Sequence, residues 1–202
     1  MTVALQQYYK IHSKIYDATR WTFLFGRNQL IQSIGESCAS GRILEIGCGT
    51  GKNLAALSRL FPSAHIVGMD LSSEMLCVAR KHLGKHNPQI RLINTAYDLP
   101  LDPDHPFDLI VFSYTLSMIN PGWSHAIRCA AADLSPNGLI AAVDFHDAPL
   151  EAFKTWMQIN HVRMESHLLP ELTLNFHPET MHIRAAYGGL WEYFIYIGRK
   201  LP

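Results

Sequence analysis

The sequence predicts an α/β fold: a mostly parallel, seven-stranded sheet with helices on both faces and an antiparallel hairpin at its C-terminal end. Short apolar runs alternate with longer amphipathic stretches from residue 42 onward, and this β-α-β order is typical of a parallel sheet. The run 108–112 carries apolar side chains on both faces, as a buried parallel strand requires. Beyond Pro149 the pattern changes to a helix-like stretch followed by β-prone segments, which predicts the hairpin.

The individual elements follow in chain order. Helical periodicity runs from Leu5 to Cys38 and is broken near Gly26. Five apolar runs predict strands, at 42–46, 65–69, 90–94, 107–113 and 139–144. Three amphipathic stretches between them predict helices, at 52–60, 72–86 and 123–134. A further helix is expected at 150–169, then a strand at either 172–176 or 181–186, and a last strand at 190–198 after a turn at Gly188-Gly189.

Composition excludes several classes of protein. The chain has 202 residues, 48% of them hydrophobic and 17% charged, which is typical of a globular domain. Lys plus Arg and Asp plus Glu both number 17, so the whole chain has no net attraction to nucleic acid or to an anionic bilayer. We expect no nucleic-acid partner. The oligomeric state stays open.

Cysteine spacing and the N-terminal sequence bear on the compartment. The four cysteines form no C-x-x-C pair and lie in apolar stretches, which predicts reduced, buried thiols in a cytosolic protein: Cys38, Cys48, Cys77 and Cys129. The first residues lack the apolar run of a signal peptide, and no window approaches 18 apolar residues. A cytoplasmic protein is expected, with peripheral contact to the inner membrane left open.

The most informative stretch is 43–52, a strand that runs into a glycine-rich turn and then a helix. Gly47, Gly49 and Gly51 allow a sharp turn and a close approach of backbone to ligand. Position 52 is Lys rather than the small residue of a dinucleotide fingerprint, so the pattern is E-x-G-x-G-x-G, beginning at Glu45.

An acidic residue follows this loop at the spacing of a nucleoside site. Asp70 ends the second predicted strand about 20 residues on, where a carboxylate can accept hydrogen bonds from ribose hydroxyls. With this acid and loop in a β-α-β context, the chain resembles class I S-adenosylmethionine-dependent methyltransferases. The stretches 94–100, 107–111 and 134–138 resemble the family's later motifs.

The resemblance implies a Rossmann-like fold, S-adenosyl-L-methionine as cofactor and a set of binding residues. Asp70 would bind the ribose and Glu45 would orient the loop. The family commonly has Asp where this chain has Thr95, so the adenine contact would pass to a hydroxyl or to the backbone. The implied cofactor-binding residues are Tyr16, Arg20, Glu45, Gly47, Gly49, Gly51, Asp70, Leu71, Thr95, Ala96 and Ser113.

The methyl acceptor is expected beyond the carboxyl ends of the fourth and fifth strands, where open α/β sheets bind ligands. Methyl transfer from a sulfonium is an in-line displacement that needs alignment and exclusion of water rather than a nucleophilic residue. An amine must attack as the free base, so His146 or Asp144 could take its proton while Tyr114 shields the product. The alternatives are a strand-end cap for Asp144, a solvated loop for His146 and a core position for Tyr114. No metal site is expected.

The N-terminal stretch 15–27 sets aromatic residues between Arg20 and Arg27, which is compatible with a lid over the cofactor or with a membrane interface. Together with 113–119 and 143–145, it is similar to bacterial lipid head-group N-methyltransferases of the diacylglyceryl-homoserine (betaine-lipid) type. Phosphatidylethanolamine N-methyltransferases are more distant. This similarity implies that Tyr16 and Arg20 close over the methionine end of the cofactor.

Three functional hypotheses follow. The first is N-methylation of an amine-bearing lipid head group, and the second is O-, N- or C-methylation of a soluble small molecule. The third is a binding module that keeps the nucleoside site without catalysis. The chain is expected to form one domain over 1–202, with an N-terminal helical lid or acceptor region (1–40), a cofactor-binding core (41–145) and a C-terminal sheet and acceptor side (146–202).

Overall fold

Seven strands form one mixed sheet in the computed structural model, which describes residues 23–37, 41–84, 87–102 and 104–201. The strands are β1 (Arg42–Ile46), β2 (His65–Asp70), β3 (Ile90–Asn94), β4 (Phe107–Ser113), β5 (Leu134–Phe145), β6 (Phe176–Ala186) and β7 (Trp191–Lys200). The helices are α1 (Arg27–Ser37), α2 (Lys52–Leu60), α3 (Ser73–Leu83), α4 (Trp123–Asp133), α5 (Glu151–Ile159) and α6 (Leu168–Asn175). A single 3₁₀ turn, Leu116–Met118, follows β4.

The strand order is β3-β2-β1-β4-β5-β7-β6. The first five strands are parallel, and β7 pairs antiparallel with both β5 and β6. The predicted fold class is therefore confirmed, including the hairpin around Gly188-Gly189. Because the order changes direction between β1 and β4, the carboxyl ends of these two strands flank the crevice where open α/β sheets bind ligands.

The C-terminal third differs from the sequence prediction in two places. The expected helix at 150–169 ends at Ile159, and a second helix starts at Leu168. The stretch 172–176 belongs mostly to α6, so the alternative strand at 181–186 is the correct one, within a longer β6. Leu168 and Leu172 are both buried and stand one helical turn apart, which is why this short apolar run packs as a helix rather than a strand.

Two hydrophobic layers cover the sheet. On one face α1 and α2 contribute Leu30, Ile34, Leu54 and Leu57 to the core, and none of these side chains is more than 1% exposed. On the other face, α4 packs buried alanine side chains against β5, and α6 packs buried leucine side chains against α4, β6 and β7. Both faces of the central strands are therefore buried, as the apolar runs predict. None of the described helices is long and apolar enough to span a membrane.

The cysteines are not uniformly buried. Cys48 and Cys129 are buried free thiols, as expected, but Cys77 is exposed. Cys77 lies on α3 between Leu76 and Val78, and only Leu76 faces the core. The prediction was wrong for Cys77 because an apolar neighbourhood in sequence does not say which side of a helix a residue occupies. Cys38 lies outside the described residues.

Candidate active site

The glycine loop after β1 adopts backbone conformations that favour glycine. Gly47, Gly49 and Gly51 have φ angles of 71°, 54° and 77°. A Cβ added to Gly47 would lie 2.4 Å from Oγ1 of Thr115, whereas one added to Gly49 would meet nothing within 4 Å. The loop therefore turns tightly against the segment after β4 and exposes bare backbone at Gly49 to the crevice.

Asp70 anchors this loop from the end of β2. Its Oδ2 accepts a hydrogen bond from the amide of Gly49, and its Oδ1 accepts one from the amide of Ser72, both at 2.8 Å. The carbonyl of Met69 also accepts bonds from the amides of Gly47 and Cys48. The carboxylate is thus held in place by backbone groups.

One cavity lies over the loop and between the ends of the central strands. Seven of the residues predicted from the sequence line it: Gly47, Gly49, Asp70, Leu71, Thr95, Ala96 and Tyr114. The prediction of a site at this edge of the sheet therefore agrees with the geometry. Further lining residues did not appear among the predicted site residues: Ile46, Met69, Met75, Tyr97, Asp98, Thr115, Met118, Ile119, Pro121, Gly122 and His125.

Glu45 lies behind the loop rather than in the cavity. Its Oε1 accepts a hydrogen bond from the side-chain amide of Asn53 at 2.7 Å, and the Asn53 oxygen accepts two bonds from the guanidinium of Arg27. Burial raises the pKa of Glu45 to about 8, against the opposing effect of the Arg27 charge. Glu45 therefore connects β1 through α2 to α1 and holds the loop from below.

Two other predicted cofactor-binding residues also lie outside the cavity lining. Gly51 is the residue immediately before α2, and a Cβ there would contact Ala79 at 3.2 Å. Ser113 is the last residue of β4, and its buried hydroxyl has no hydrogen-bond partner among the described residues. Tyr16 and Arg20 lie outside the described residues, so the contacts predicted for them remain predictions.

Tyr114 joins the cavity to the N-terminal segment. It is buried, has a left-handed φ of 56°, and its hydroxyl donates to the carbonyl of Phe25 at 2.8 Å. Burial raises its pKa well above the ordinary value. Since its hydroxyl is bound to the backbone, Tyr114 acts in this geometry as an attachment point for residues 23–26.

The aromatic residues of that segment pack against the sheet. Phe23 stacks on Trp191 with ring centroids 5.1 Å apart, and Phe25 makes edge contacts with Trp191 and Tyr187. Both phenylalanines are partly buried. These contacts place the described part of the N-terminal stretch against the C-terminal hairpin, and none of residues 23–26 lines the cavity over the glycine loop. The lid and the membrane interface both stay predictions.

Asp144 is fully buried beneath the turn that follows β4. Its carboxylate accepts bonds from the amides of Ser117 at 3.1 Å and of Phe145 at 2.8 Å. Burial raises its pKa to about 6, and these hydrogen bonds oppose the shift. It does not line the cavity, so its place in the fold is that of an anchor for the turn rather than a contact for an acceptor.

His146 borders a different cavity. It lies with Ser166, Leu169, Pro170 and Met181 in a shallow groove between α6 and β6. Its buried Nδ1 has no hydrogen-bond partner within the part of the chain that the structure describes. Of the three predicted catalytic residues, the structure places only Tyr114 beside the glycine loop, because the chain after β5 turns His146 toward the hairpin.

A second cleft of about 640 Å³ adjoins the first cavity. The two share a wall formed by Asp98, Met118, Ile119 and Pro121. The far wall comes from the end of α5 and from the connection between α5 and α6: Gln158, His161, Val162, Arg163 and Glu165. This connection is held against the 3₁₀ turn by the amide of Arg163, which donates to the carbonyl of Ser117 at 2.9 Å.

Some lining residues that were not predicted lie in stretches with a recognisable sequence signal, and others do not. Asp98 and Met118 lie in stretches that the resemblance already singles out, so their neighbourhood carried a signal. Pro121 and His125 follow the turn without a distinguishing pattern. The segment 158–165 carried none, because its place beside the cavity depends on packing between elements that are distant along the chain.

The residues that line the cavity fit S-adenosyl-L-methionine. The open backbone at Gly49 and the fixed carboxylate of Asp70 suit a ribose and its neighbouring polar groups. Leu71, Ala96 and Met118 supply apolar surface for a base. The arrangement can therefore hold a nucleoside next to the cleft.

Similarity to known proteins covers the part of the chain that forms the cavity over the glycine loop. Residues 43–138 match the methyltransferase domain family. The matched residues begin in β1 and contain the glycine loop, Asp70 and the wall shared by the two cavities. They leave out the N-terminal segment and everything after the first part of β5.

Two relatives show how far the similarity extends. The chain is 30% identical to the trans-aconitate 2-methyltransferase of Streptomyces avermitilis over 148 residues, which are 72% of this chain and 54% of that protein. It is 32% identical to the demethylmenaquinone methyltransferase of Clavibacter sepedonicus over 145 residues, 68% of this chain and 56% of that protein. The chain therefore spans about half the length of the curated relatives it matches.

A solved structure extends the likeness to the fold. The N-methyltransferase NodS of Bradyrhizobium japonicum WM9, in complex with S-adenosyl-L-homocysteine, has a TM-score of 0.71 at 21% identity. The likeness covers 87% of this chain and 86% of NodS. The family match and this likeness together show a methyltransferase domain at residues 43–138, within a fold that the chain shares with NodS.

Proposed function

We propose that this chain transfers a methyl group from S-adenosyl-L-methionine to a small-molecule acceptor that binds in the cleft beside Met118. The observation that carries the proposal is the wall shared by the cofactor cavity and the cleft, formed by Asp98, Met118, Ile119 and Pro121. A donor above the glycine loop and an acceptor in the cleft would meet across this wall. Such juxtaposition is the main requirement of an in-line displacement.

The binding of the donor rests on the glycine loop side. Asp70 lines the cavity, and its carboxylate would accept hydrogen bonds from the ribose hydroxyls. Leu71 and Ala96 would flank the adenine, in keeping with the family resemblance. Thr95 lines the same cavity and offers a hydroxyl where the family commonly has a carboxylate.

The chemistry of the cleft favours an amine acceptor. Asp98 and Glu165 place carboxylates along it, and Arg163 is already paired with Glu165 through a 2.8 Å bond. A cationic amine would therefore find negative charge at Asp98. His161 also lines the cleft and is the imidazole best placed there to take the proton that the amine must lose before it attacks.

Methyl transfer requires no covalent intermediate with the enzyme. The lone pair of the acceptor nitrogen forms the new N–C bond as the C–S bond of the sulfonium breaks, and its electrons stay on sulfur. The chain's contribution is to orient both reactants in two adjoining concave sites. Limiting the access of water there protects a reactive sulfonium.

The names of the relatives are compatible with a small acceptor. Trans-aconitate and demethylmenaquinone are the acceptors named for the two sequence relatives. They differ strongly in polarity, which shows that the shared core does not choose the acceptor. The selection in this chain would come from the cleft residues contributed by 158–165.

A lipid head group is the second candidate acceptor, and one observation favours it. Trp156 and Ile159 of α5 are 49% and 72% exposed, and they flank Gln158 at the cleft. Large apolar side chains at a cleft mouth are a feature of surfaces that meet lipid. Against this, Phe23 and Phe25 are engaged with the sheet rather than free.

The experiment that tests the proposal uses methyl-labelled S-adenosylmethionine and a bacterial extract split into aqueous and lipid fractions. We expect label in amines of the aqueous fraction, and slower labelling with His161→Ala. The matched control is His182→Ala, an exposed histidine of β6 far from the cleft, which should label at the wild-type rate. Label confined to the lipid fraction would instead support the head-group acceptor. Cofactor binding without any label transfer would overturn both.

A further inference from the structure

A basic cleft of about 980 Å³ lies between α1, the start of α2 and the edge strand β6. Four cationic side chains line it: Arg27, Lys52, Arg59 and Arg184. It shares no lining residue with the cofactor cavity or with the proposed acceptor cleft. A site at this place would therefore be additional to the methyl-transfer site.

Three elements bring the four cations together. Lys52, Ala56 and Arg59 recur at i, i+4 and i+7, so they share one face of α2. Arg27 begins α1, and its guanidinium is oriented by two hydrogen bonds to the side-chain oxygen of Asn53. Arg184 comes from β6, more than 120 residues further along the chain, so the cleft is a product of the fold rather than of a basic run.

The charged side chains that line this cleft are all cationic, although the chain as a whole is neutral. No carboxylate is among the described residues that line it. Elsewhere, four arginines pair with carboxylates at 2.5–3.5 Å: Arg42, Arg128, Arg163 and Arg199. Arg59 and Arg184 have no such ion pair within the described part of the chain. Cations gathered around a concave space repel one another, and a bound anion would relieve that repulsion.

Amide side chains complete the lining. Asn28, Gln29 and Gln32 of α1 face the same space and can donate hydrogen bonds to acceptor oxygens. Leu24 and Phe25 form an apolar end next to the N-terminal segment. The combination offers several donors to an anion and a hydrophobic surface to whatever carries it.

We propose that this cleft binds a phosphate-bearing small molecule, with Arg59 and Arg184 as its principal contacts. Guanidinium groups match phosphate in geometry and bind it through paired hydrogen bonds. The site is concave and enclosed by three elements, so a compact phosphate group reaches the arginines more readily than the flat surface of a bilayer. The proposal does not depend on methyl transfer.

The test is titration calorimetry with inorganic pyrophosphate at low ionic strength, on the whole chain. We expect saturable binding that weakens as salt is raised, because the contacts are ionic. The variant R59Q/R184Q should bind about tenfold more weakly, as expected from the loss of two charge-assisted contacts. Both side chains are exposed, so the variant should fold, and R59Q alone provides a second test.

The matched control is R80Q/R91Q, which removes two exposed arginines that do not line the cleft, one from α3 and one from β3, the edge strand opposite to β6. It should keep wild-type affinity. Absence of saturable binding, or equal weakening in both double variants, would overturn the proposal. To separate a soluble phosphate from a lipid one, vesicles of phosphatidylglycerol are added in competition. Pyrophosphate binding that vesicles leave unchanged supports a soluble ligand, while vesicle binding that pyrophosphate fails to displace would contradict a phosphate site in the cleft.

Discussion

Asp70 and Asp144 look alike in the sequence, but the fold puts them in opposite environments. Each follows an apolar run at the carboxyl end of a parallel strand, and each accepts two backbone hydrogen bonds. Asp70 lines the cofactor cavity and is only partly buried, whereas Asp144 is completely buried under the turn after β4. Burial raises the pKa of Asp144 to about 6.

The difference lies in what each carboxylate holds. Asp70 fixes the loop that faces the ligand, and it lines the cavity itself. Asp144 fixes residues 116–118, whose Met118 forms part of the shared wall, and so shapes the site from behind. An acid at a strand end can thus be a ligand or an anchor, and the direction of its side chain decides which.

The largest expected effect is on stability, in Asp144→Ala. Two buried amides, of Ser117 and Phe145, would lose their acceptor, and each unsatisfied buried donor costs about 1–3 kcal/mol, so a loss of about 3 kcal/mol is expected in urea unfolding. Asp144→Asn keeps one acceptor oxygen and should lose less. The exposed control Asp104→Ala should change stability by less than about 0.5 kcal/mol.

The role of Asp144 as an anchor would be wrong if its carboxylate contacted substrate directly. In that case Asp144→Asn would slow methyl transfer strongly while leaving the unfolding free energy close to wild type. We expect the reverse order of effects.

The next effect concerns Glu45 and pH. Burial raises its pKa from 4.5 to about 8, so between these values the folded state binds a proton that the unfolded state releases. The stabilisation is fully present below pH 4.5 and is lost as pH rises through 8. The free energy of unfolding should therefore fall with rising pH, by at most about 1.4 kcal/mol per pH unit from this group.

Unfolding measured at several pH values checks this expectation. Glu45→Gln keeps an acceptor for Asn53 and should remove most of the slope. Glu36→Gln, an exposed acid on α1, is the control and should preserve it. An identical slope in Glu45→Gln and wild type would mean that Glu45 is charged in the folded protein.

The smallest effect on stability is expected at residues 23–26, which Tyr114 attaches to the sheet. Tyr114→Phe removes one hydrogen bond to the carbonyl of Phe25 and should cost about 1 kcal/mol. Hydrogen exchange at the Leu30 amide, which donates to Gly26, should speed up because the segment is less firmly attached. Tyr193→Phe is the control, since the Tyr193 hydroxyl has no hydrogen bond among the described residues. Equal exchange of the Leu30 amide in the two variants would show that Tyr114 does not hold residues 23–26 in place.

Local signals predicted the cofactor side of the molecule well. The strands at 42–46, 90–94 and 107–113 have the predicted bounds, because buried apolar runs with turn residues at both ends leave little choice. Gly47, Gly49 and Asp70 were found because a strand, a tight turn and an acid at fixed spacing define that geometry locally.

The acceptor side could not be predicted in the same way. Asp144 and His146 were chosen for their position after β5, but the side on which each lies depends on contacts with Ser117 and with Ser166. Those contacts join residues that are 20 or more positions apart. His161 enters the cleft only because the connection between α5 and α6 packs against the turn after β4.

The most direct test of the proposed cofactor site is titration calorimetry of S-adenosyl-L-methionine with wild type, Asp70→Ala and the control Asp104→Ala. Wild type and the control should bind with equal affinity. Asp70→Ala should bind more weakly by about 1.5–3 kcal/mol, because it loses hydrogen bonds to the ribose and the anchor of the Gly49 amide. Unchanged affinity in Asp70→Ala would contradict the claim that the cavity over the glycine loop is the cofactor site.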